Sequence, residues 1–128
     1  MSGFLLDTHA VIWYLDDSPL LSPAAKEAIG NPENTIFICS ASLWEIAIKT
    51  SLRRLDLGVP LGEFLSSIAA SDFTVLQIED AYLEEFVKLP PIHKDPFDRL
   101  IISTALFEEL AIITIDENIL KYDVASFF

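Results

Sequence analysis

The fold class is decided by residues 3–8, GFLLDT, and by the helical potential of residues 9–15 that follow them. The residues before the aspartate are apolar without interruption, which predicts a short buried strand. Other β-branched or apolar segments predict strands at residues 35–39, 74–78 and 112–115, with residues 122–128 as a candidate fifth. Apolar strands that alternate with helices are typical of a parallel sheet covered on both faces. We therefore expect an α/β protein.

The intervening segments carry helix signals. Ser22 followed by Pro23 predicts a helix start, and Gly30 predicts its end. Further helices are expected at residues 40–55, 61–71, 80–88 and 96–110. No internal repeat, low-complexity tract or long linker divides the sequence, so we expect a single domain over residues 1–128.

Composition narrows the class of protein. The 128 residues are 52% hydrophobic and have a mean hydropathy of +0.42, which excludes disorder. The longest apolar run, residues 10–15, is far shorter than the ~20 residues that a membrane-spanning helix needs. Asp7 interrupts the first apolar stretch and no basic segment precedes it, so no secretory signal is expected. With Cys39 as the only cysteine, we expect a cytoplasmic protein.

The charge balance is strongly acidic. Eight Lys and Arg against twenty Asp and Glu give a net charge of −12, which by itself disfavours a nucleic-acid partner. The placement of the charges weakens that argument, because six of the eight basic residues form two islands. These are Lys49, Arg53 and Arg54, and Lys88, Lys94 and Arg99.

Two aspartates directly follow predicted strands. Asp7 ends the first strand and Asp116 ends the fourth, and ligands of open parallel sheets bind outside the carboxyl ends of the strands. Either aspartate alone is explained equally well as the cap of the following helix.

Glu45 lies among apolar residues in a segment that predicts a helix buried on nearly all sides. A carboxylate there needs a partner, because a buried charge without one costs several kcal/mol. Two structural partners are available: a capping box with Ser42, and an ion pair with Lys49 four residues on.

Asp95 and Asp98 open another apolar helix. Asp95 is predicted to cap it, with Pro96 at the first helical position. Asp98 falls in the first turn, where the helix dipole favours an anion, although core residues flank it on both sides. Arg99 is predicted to pair with a carboxylate, and Asp95 stands four residues before it.

The acids Asp7, Glu45, Asp98 and Asp116 are harder to explain as a set than one by one. If they converge, their repulsion raises their pKa values, and a divalent cation relieves it. An all-carboxylate site suits Mg²⁺ or Mn²⁺, which lowers the pKa of a bound water and polarises a phosphodiester. The acids would then hold metal, and the basic islands would meet a nucleic-acid backbone.

Other side chains are assigned to the structure. His9 and His93 have no partner at metal-ligand spacing and are interpreted as structural residues. Trp13, Tyr14 and Trp44 are predicted to serve the core, and any exposed aromatic residue would form an interface with another protein chain.

Four motifs in register resemble those of PIN-domain ribonucleases, specifically the toxins of bacterial VapC-type toxin–antitoxin pairs. They are LDTH at residues 6–9, SLWE at 42–45 with Lys49, HKDPFDR at 93–99, and TID at 114–116. One small departure is residues 102–104, Ile-Ser-Thr, where smaller residues and a glutamine are expected.

The resemblance implies a single three-layer α/β/α domain with a central, mainly parallel sheet. It implies Mg²⁺-dependent RNA cleavage, with Mn²⁺ as a substitute metal, in which a metal-activated water attacks the phosphodiester. It also implies a homodimer and a small antitoxin that blocks the acidic site and tethers the pair to operator DNA. The implied metal-binding and catalytic residues are Asp7, Glu45, Asp98 and Asp116, supported by Thr8, Thr114, Asp95, Arg99 and Lys49.

Two other functions remain as alternatives. A non-catalytic interaction module would keep the fold and bind a partner, and it would tolerate loss of some of the four acids. An aspartyl phosphoacceptor domain would use Asp7 and a lysine after a late strand, a place that neither Lys88 nor Lys121 fills well.

Overall fold

Five parallel strands form the centre of the computed structural model, which describes residues 3–128. They are β1 (Gly3–Leu6), β2 (Thr35–Cys39), β3 (Thr74–Leu76), β4 (Ala111–Ile113) and β5 (Ser126–Phe127). Their order across the sheet is β3-β2-β1-β4-β5, and every neighbouring pair is parallel. The predicted parallel sheet is confirmed.

Seven helices connect the strands within residues 3–128. They are α1 (Thr8–Leu15), α2 (Pro23–Gly30), α3 (Ser40–Ser51), α4 (Leu61–Ala70), α5 (Asp80–Lys88), α6 (Pro96–Glu108) and α7 (Glu117–Leu120). None of these helices has the length and apolar character that crossing a lipid bilayer requires.

Successive strand residues face opposite sides of the sheet and build two cores. In β1, Leu6 joins a core formed with α1, α2 and α4, whereas Leu5 joins a second core formed with α5 and α6. In β4, Ile113 belongs to the first of these cores and Ile112 to the second. All four side chains are fully buried, as expected for a parallel sheet with both faces covered. The predicted α/β/α layers are therefore confirmed.

Helix ends differ from the prediction where a non-glycine residue adopts a left-handed conformation. Helix α3 ends at Ser51 instead of residue 55, because Leu52 caps it and Arg53 takes a φ of 57°. Helix α6 ends at Glu108, and Glu109 takes a φ of 56°. Such conformations are uncommon for these residue types, so sequence patterns do not predict them.

The strand ends also differ. β3 stops two residues early, β4 begins one residue early and stops at Ile113, and β5 contains only two residues of the predicted seven. The short helix α7, which Asp116 caps, was not delimited from the sequence.

The strand order reverses at β1. From β1 the chain builds outward through β2 and β3 on one side, and β4 and β5 lie on the other. Such a reversal leaves a crevice at the carboxyl ends of the two central strands, which in open α/β sheets is the usual place for a ligand. The segments that follow β1 and β4 meet there.

Candidate active site

Asp7 lies at the carboxyl end of β1 and is only 5% exposed. One of its oxygens, Oδ1, accepts a hydrogen bond of 2.7 Å from the backbone of Ala10 and so caps α1. The other, Oδ2, accepts from the hydroxyl of Thr114. Burial raises the pKa of Asp7, and these two hydrogen bonds oppose the rise. Asp7 is therefore both a helix cap and a member of the crevice.

The segment after β4 supplies Thr114 and Asp116. The hydroxyl of Thr114, a residue 2% exposed, donates to Asp7 and accepts from the backbone N–H of Asp116 at 3.0 Å. Oδ1 of Asp116 caps α7 by accepting from Asn118 and Ile119. The negative charge of Asp116 adds to the rise of the Asp7 pKa, so the two strand-end carboxylates share one electrostatic environment.

Glu45 enters the crevice from α3 and is 3% exposed. Its Oε2 lies 2.6 Å from Nζ of Lys49, and its Oε1 accepts from the hydroxyl of Thr8 at 2.7 Å. The predicted ion pair at four-residue spacing is confirmed. The hydrogen bond to Glu45 also raises the pKa of Lys49, which keeps this ammonium charged.

The other two expectations for α3 are wrong. No capping box forms, because α3 begins at Ser40 directly after β2 and leaves Ser42 inside the first turn. The hydroxyl of Ser42 instead lies 3.0 Å from that of Thr8. The helix is also not buried on nearly all sides, since Trp44 is 62% exposed and does not belong to the core.

Asp95 and Asp98 enter from the start of α6. Asp95 caps the helix by accepting from the backbone of Phe97 and Asp98, with Pro96 at the first position, as predicted. The pKa of Asp98 is raised to about 6, first by burial and then by the negative charge of Asp95. Glu45 and Asp116 add smaller effects in the same direction, so Asp98 experiences the other acids of the crevice.

Arg99 does not form the predicted ion pair. Its guanidinium donates to the carbonyl oxygen of Pro90 and to the hydroxyl of Tyr122, both at 2.9 Å, and it lies over the ring of Phe86. The salt bridges within residues 3–128 do not include an Arg99–Asp95 pair. The loop before α6 offers the carbonyl oxygen of Pro90, the segment after α7 offers the phenol of Tyr122, and Asp95 is occupied with its cap.

His93 was interpreted from the sequence as structural, and its contact with the candidate site was missed. Its Nε2 lies 3.2 Å from Oδ2 of Asp98, and its Nδ1 lies 2.8 Å from the hydroxyl of Tyr122. The one sequence signal was the place of His93 at the head of the motif at residues 93–99.

The side chains converge on a cleft of about 180 Å³. Seven of the nine predicted site residues line it. Thr114 stands behind it and donates to Asp7, whereas Arg99 is connected to it through Tyr122 and His93. The cleft is lined by Asp7, Thr8, His9, Glu45, Lys49, His93, Asp95, Asp98, Asp116 and Asn118.

The donor set fits a hard divalent cation. Among residues 3–128, no three His, Cys, Asp or Glu side chains are already arranged around a common point for a metal. Glu45 is held by Lys49, and Asp98 by His93. Mg²⁺, however, keeps several waters and needs only one or two direct carboxylates. Burial is the main cause of the raised pKa values of Asp7 and Asp98, and neighbouring carboxylates add to the rise. A cation beside them would favour the ionised form of both.

Comparison with known proteins identifies relatives of this chain. Residues 4–125 match the family model of the PIN domain. The chain is 30% identical over 120 residues to ribonuclease VapC22 of Mycobacterium tuberculosis, covering 93% of this chain and 91% of that protein.

Solved structures share the fold. The structure of VapBC2 from Rickettsia felis bound to a DNA fragment from its promoter has a TM-score of 0.72 at 16% identity, covering 98% of this chain and 97% of that chain. FitAcB from Neisseria gonorrhoeae has a TM-score of 0.70 at 19% identity, covering 98% and 96%.

Proposed function

The chain belongs to the PIN-domain family, and on that premise we propose that it is a metal-dependent endoribonuclease, the toxin of a toxin–antitoxin pair. The observation that carries the proposal is the cleft at the reversal of the strand order, where carboxylates from four separate chain segments meet, two of them buried and two partly buried. The kinship with a VapC ribonuclease supports RNA as the substrate.

The proposed metal ligands are the carboxylates of Asp7, Glu45, Asp98 and Asp116. Mg²⁺, or Mn²⁺ in its place, supplies when bound a water of lowered pKa and positive charge beside the phosphodiester. The set contains only oxygen donors, which is the chemistry that these cations prefer. No serine, cysteine or histidine nucleophile is needed.

Hydroxyl groups behind the carboxylates orient them. Thr114 holds Oδ2 of Asp7, and Thr8 holds Oε1 of Glu45, so two of the proposed ligands have fixed rotamers before any metal arrives. Groups that orient the ligands of a metal are often as important as the ligands themselves. We assign Thr8 and Thr114 this positioning role.

Lys49 balances the charge of the cleft. It neutralises Glu45 in the metal-free protein, and its side chain, 41% exposed, lines the cleft. An ammonium there can contact a phosphate oxygen. Arg99 is engaged with Pro90 and Tyr122, so we assign it a structural role and not a phosphate contact.

The assembly is part of the proposal. We propose that the chain acts in the cytoplasm as a homodimer that binds a small antitoxin, and that operator DNA is bound only through the antitoxin. The structural neighbours from Rickettsia felis and Neisseria gonorrhoeae support a protein partner of this kind. Exposed aromatic and aliphatic side chains such as Trp44, Val87 and Phe107 offer apolar surface for such contacts.

The test is cleavage of total bacterial RNA by the purified chain with Mg²⁺, with Mn²⁺ and with EDTA. Asp98→Asn is the inactive variant, and Asp72→Asn removes the same charge from an exposed position outside the cleft. We expect discrete fragments that require metal, vanish with Asp98→Asn and persist with Asp72→Asn. Cleavage that survives in EDTA or in Asp98→Asn would overturn the proposal.

A non-catalytic interaction module is the second candidate. The observation in its favour is that Lys49 and His93 already satisfy two of the acids without a metal. This candidate predicts no cleavage with any metal and unchanged antitoxin binding in Asp7→Asn. The phosphoacceptor alternative has less support, because the lysine that lines the cleft, Lys49, comes from α3 and is paired with Glu45.

A further inference from the structure

A chain of hydrogen bonds runs behind the cleft from Arg99 through Tyr122 and His93 to Asp98. The guanidinium of Arg99 lies 2.9 Å from the hydroxyl of Tyr122, which lies 2.8 Å from Nδ1 of His93. Nε2 of His93 lies 3.2 Å from Oδ2 of Asp98. Tyr122 is 5% exposed, and its ring packs edge-on against the imidazole, so this geometry is enclosed by the core.

The direction of each hydrogen bond follows from counting hydrogens at the Tyr122 hydroxyl. The guanidinium of Arg99 can only donate hydrogen bonds, and the backbone N–H of His93 also donates to the Tyr122 oxygen, at 3.3 Å. With two incoming donors, the lone pairs of the phenol oxygen are occupied. The remaining short contact, to Nδ1 of His93, must then use the phenol's own hydrogen, so Nδ1 accepts.

The opposite side of the imidazole gives the same answer independently. An ionised carboxylate only accepts, so Nε2 of His93 must carry a hydrogen to bond Asp98. The reverse tautomer would direct a third donor at Tyr122 and a lone pair at Asp98. Both ends of the ring therefore select the tautomer with hydrogen on Nε2.

We propose that Tyr122, held by Arg99, fixes His93 in its Nε2–H tautomer, and that His93 thereby positions Asp98 for metal binding. Oδ2 of Asp98 is held from behind, and Oδ1 accepts no hydrogen bond from the described residues and remains for the cleft. The bond directions rest on geometry alone, whereas their effect on metal binding rests on the proposed function. His93 and Tyr122 are thus positioning residues.

The first measurement is the tautomer. Two-bond ¹H–¹⁵N correlation spectra of the metal-free chain distinguish the two ring nitrogens, and the signals of His93 are those that disappear in His93→Gln. We expect hydrogen on Nε2 and a bare Nδ1 in the wild type, and loss of this fixed pattern in Tyr122→Phe. Hydrogen on Nδ1 in the wild type would overturn the proposed bond directions.

The second measurement is Mn²⁺ affinity by calorimetry, with RNA cleavage beside it. Partners that orient metal ligands typically contribute ~10–100-fold in affinity or activity, and we expect a loss of this size in Tyr122→Phe. Tyr82→Phe is the matched control, because it removes a similarly buried hydroxyl whose partner, Glu108, lies outside the cleft. Equal Mn²⁺ affinity in the two variants would refute the positioning role.

A conservative replacement separates positioning from packing. His93→Gln retains an N–H donor near the place of Nε2, whereas His93→Ala does not. We expect Gln to recover part of the Mn²⁺ affinity that Ala loses, and equal losses would contradict the proposal. If the wild type binds no Mn²⁺ and cleaves no RNA, the proposed function fails, while the tautomer result still decides the hydrogen-bond directions.

Discussion

Removing the charge of Asp98 should stabilise the metal-free protein while it abolishes cleavage. Asp98 is held in an acidic, largely buried cleft that raises its pKa from 3.8 to about 6. Asp98→Asn keeps an oxygen that accepts from His93 and removes only the charge. We therefore expect the variant to unfold at a higher temperature than the wild type when no metal is present.

The magnitude follows from the pKa. A rise from 3.8 to about 6 corresponds to about 3 kcal/mol between the protonated and ionised forms. The side chain is 16% exposed, and solvent screening reduces the effect, so we expect about 1 to 3 kcal/mol. For a chain of this size, that difference raises Tm by roughly 3 to 10 °C.

The raised pKa of Asp98 also predicts how the stability of the folded protein depends on pH. Because the pKa of Asp98 is higher in the folded than in the unfolded state, protonation favours folding. The stabilisation of the fold by protonated Asp98 is fully present below about pH 3.8 and is lost as the pH rises through about 6. The advantage of Asp98→Asn should accordingly be largest above pH 7 and vanish near pH 4.

Thermal unfolding followed by circular dichroism in EDTA, at pH 7.5 and pH 4, measures both quantities. Asp72→Asn controls for the change in net charge, since this aspartate is exposed and lies outside the cleft. A Tm of Asp98→Asn at or below that of the wild type at pH 7.5 would refute the reasoning. The reasoning would also be refuted if Asp72→Asn raised Tm by the same amount as Asp98→Asn.

Three other perturbations test the site and the core. Lys49→Met leaves the buried charge of Glu45 without its cation. We expect this variant to lower the free energy of unfolding, measured in urea, by about 1–3 kcal/mol. Adding Glu45→Gln to the same chain should restore most of that loss. Thr114→Val removes the hydroxyl that holds Asp7 and should slow RNA cleavage by roughly 10–100-fold, while the circular dichroism spectrum stays unchanged. An unaffected cleavage rate would argue against the positioning role of Thr114. The thiol of Cys39 is fully buried, and burial raises its pKa. It should therefore react with a disulfide reagent only after the protein is unfolded in guanidinium. Fast reaction of the native protein would contradict the packing around Cys39.

Local signals predicted much of the fold. Helix α2 runs from Pro23 to Gly30 as expected, because its serine cap and its proline act within one turn of the chain. Helix α5 also has its predicted bounds. The end of α3 was not predictable, since it depends on Arg53 adopting a left-handed conformation that composition does not signal.

The candidate site divides in the same way. Asp7 and Asp116 could be placed together because both follow strands of one parallel sheet. The contact between His93 and Tyr122 joins residues 29 positions apart and depends on how the C-terminal segment folds over α6. The exposure of Trp44 was missed because periodicity alone does not tell which side of a helix a neighbour covers.

The pairing of β1 with β4 also sets when the cleft can assemble during translation. Asp7 leaves the ribosome early, but the hydroxyl that holds it belongs to a residue 107 positions later. A growing chain is made from its N-terminus, so the central strand β1 lacks one neighbour until β4 has emerged. A nascent chain whose β4 has not yet emerged therefore lacks the assembled cleft, and a truncated product that ends before β4 lacks both Thr114 and Asp116.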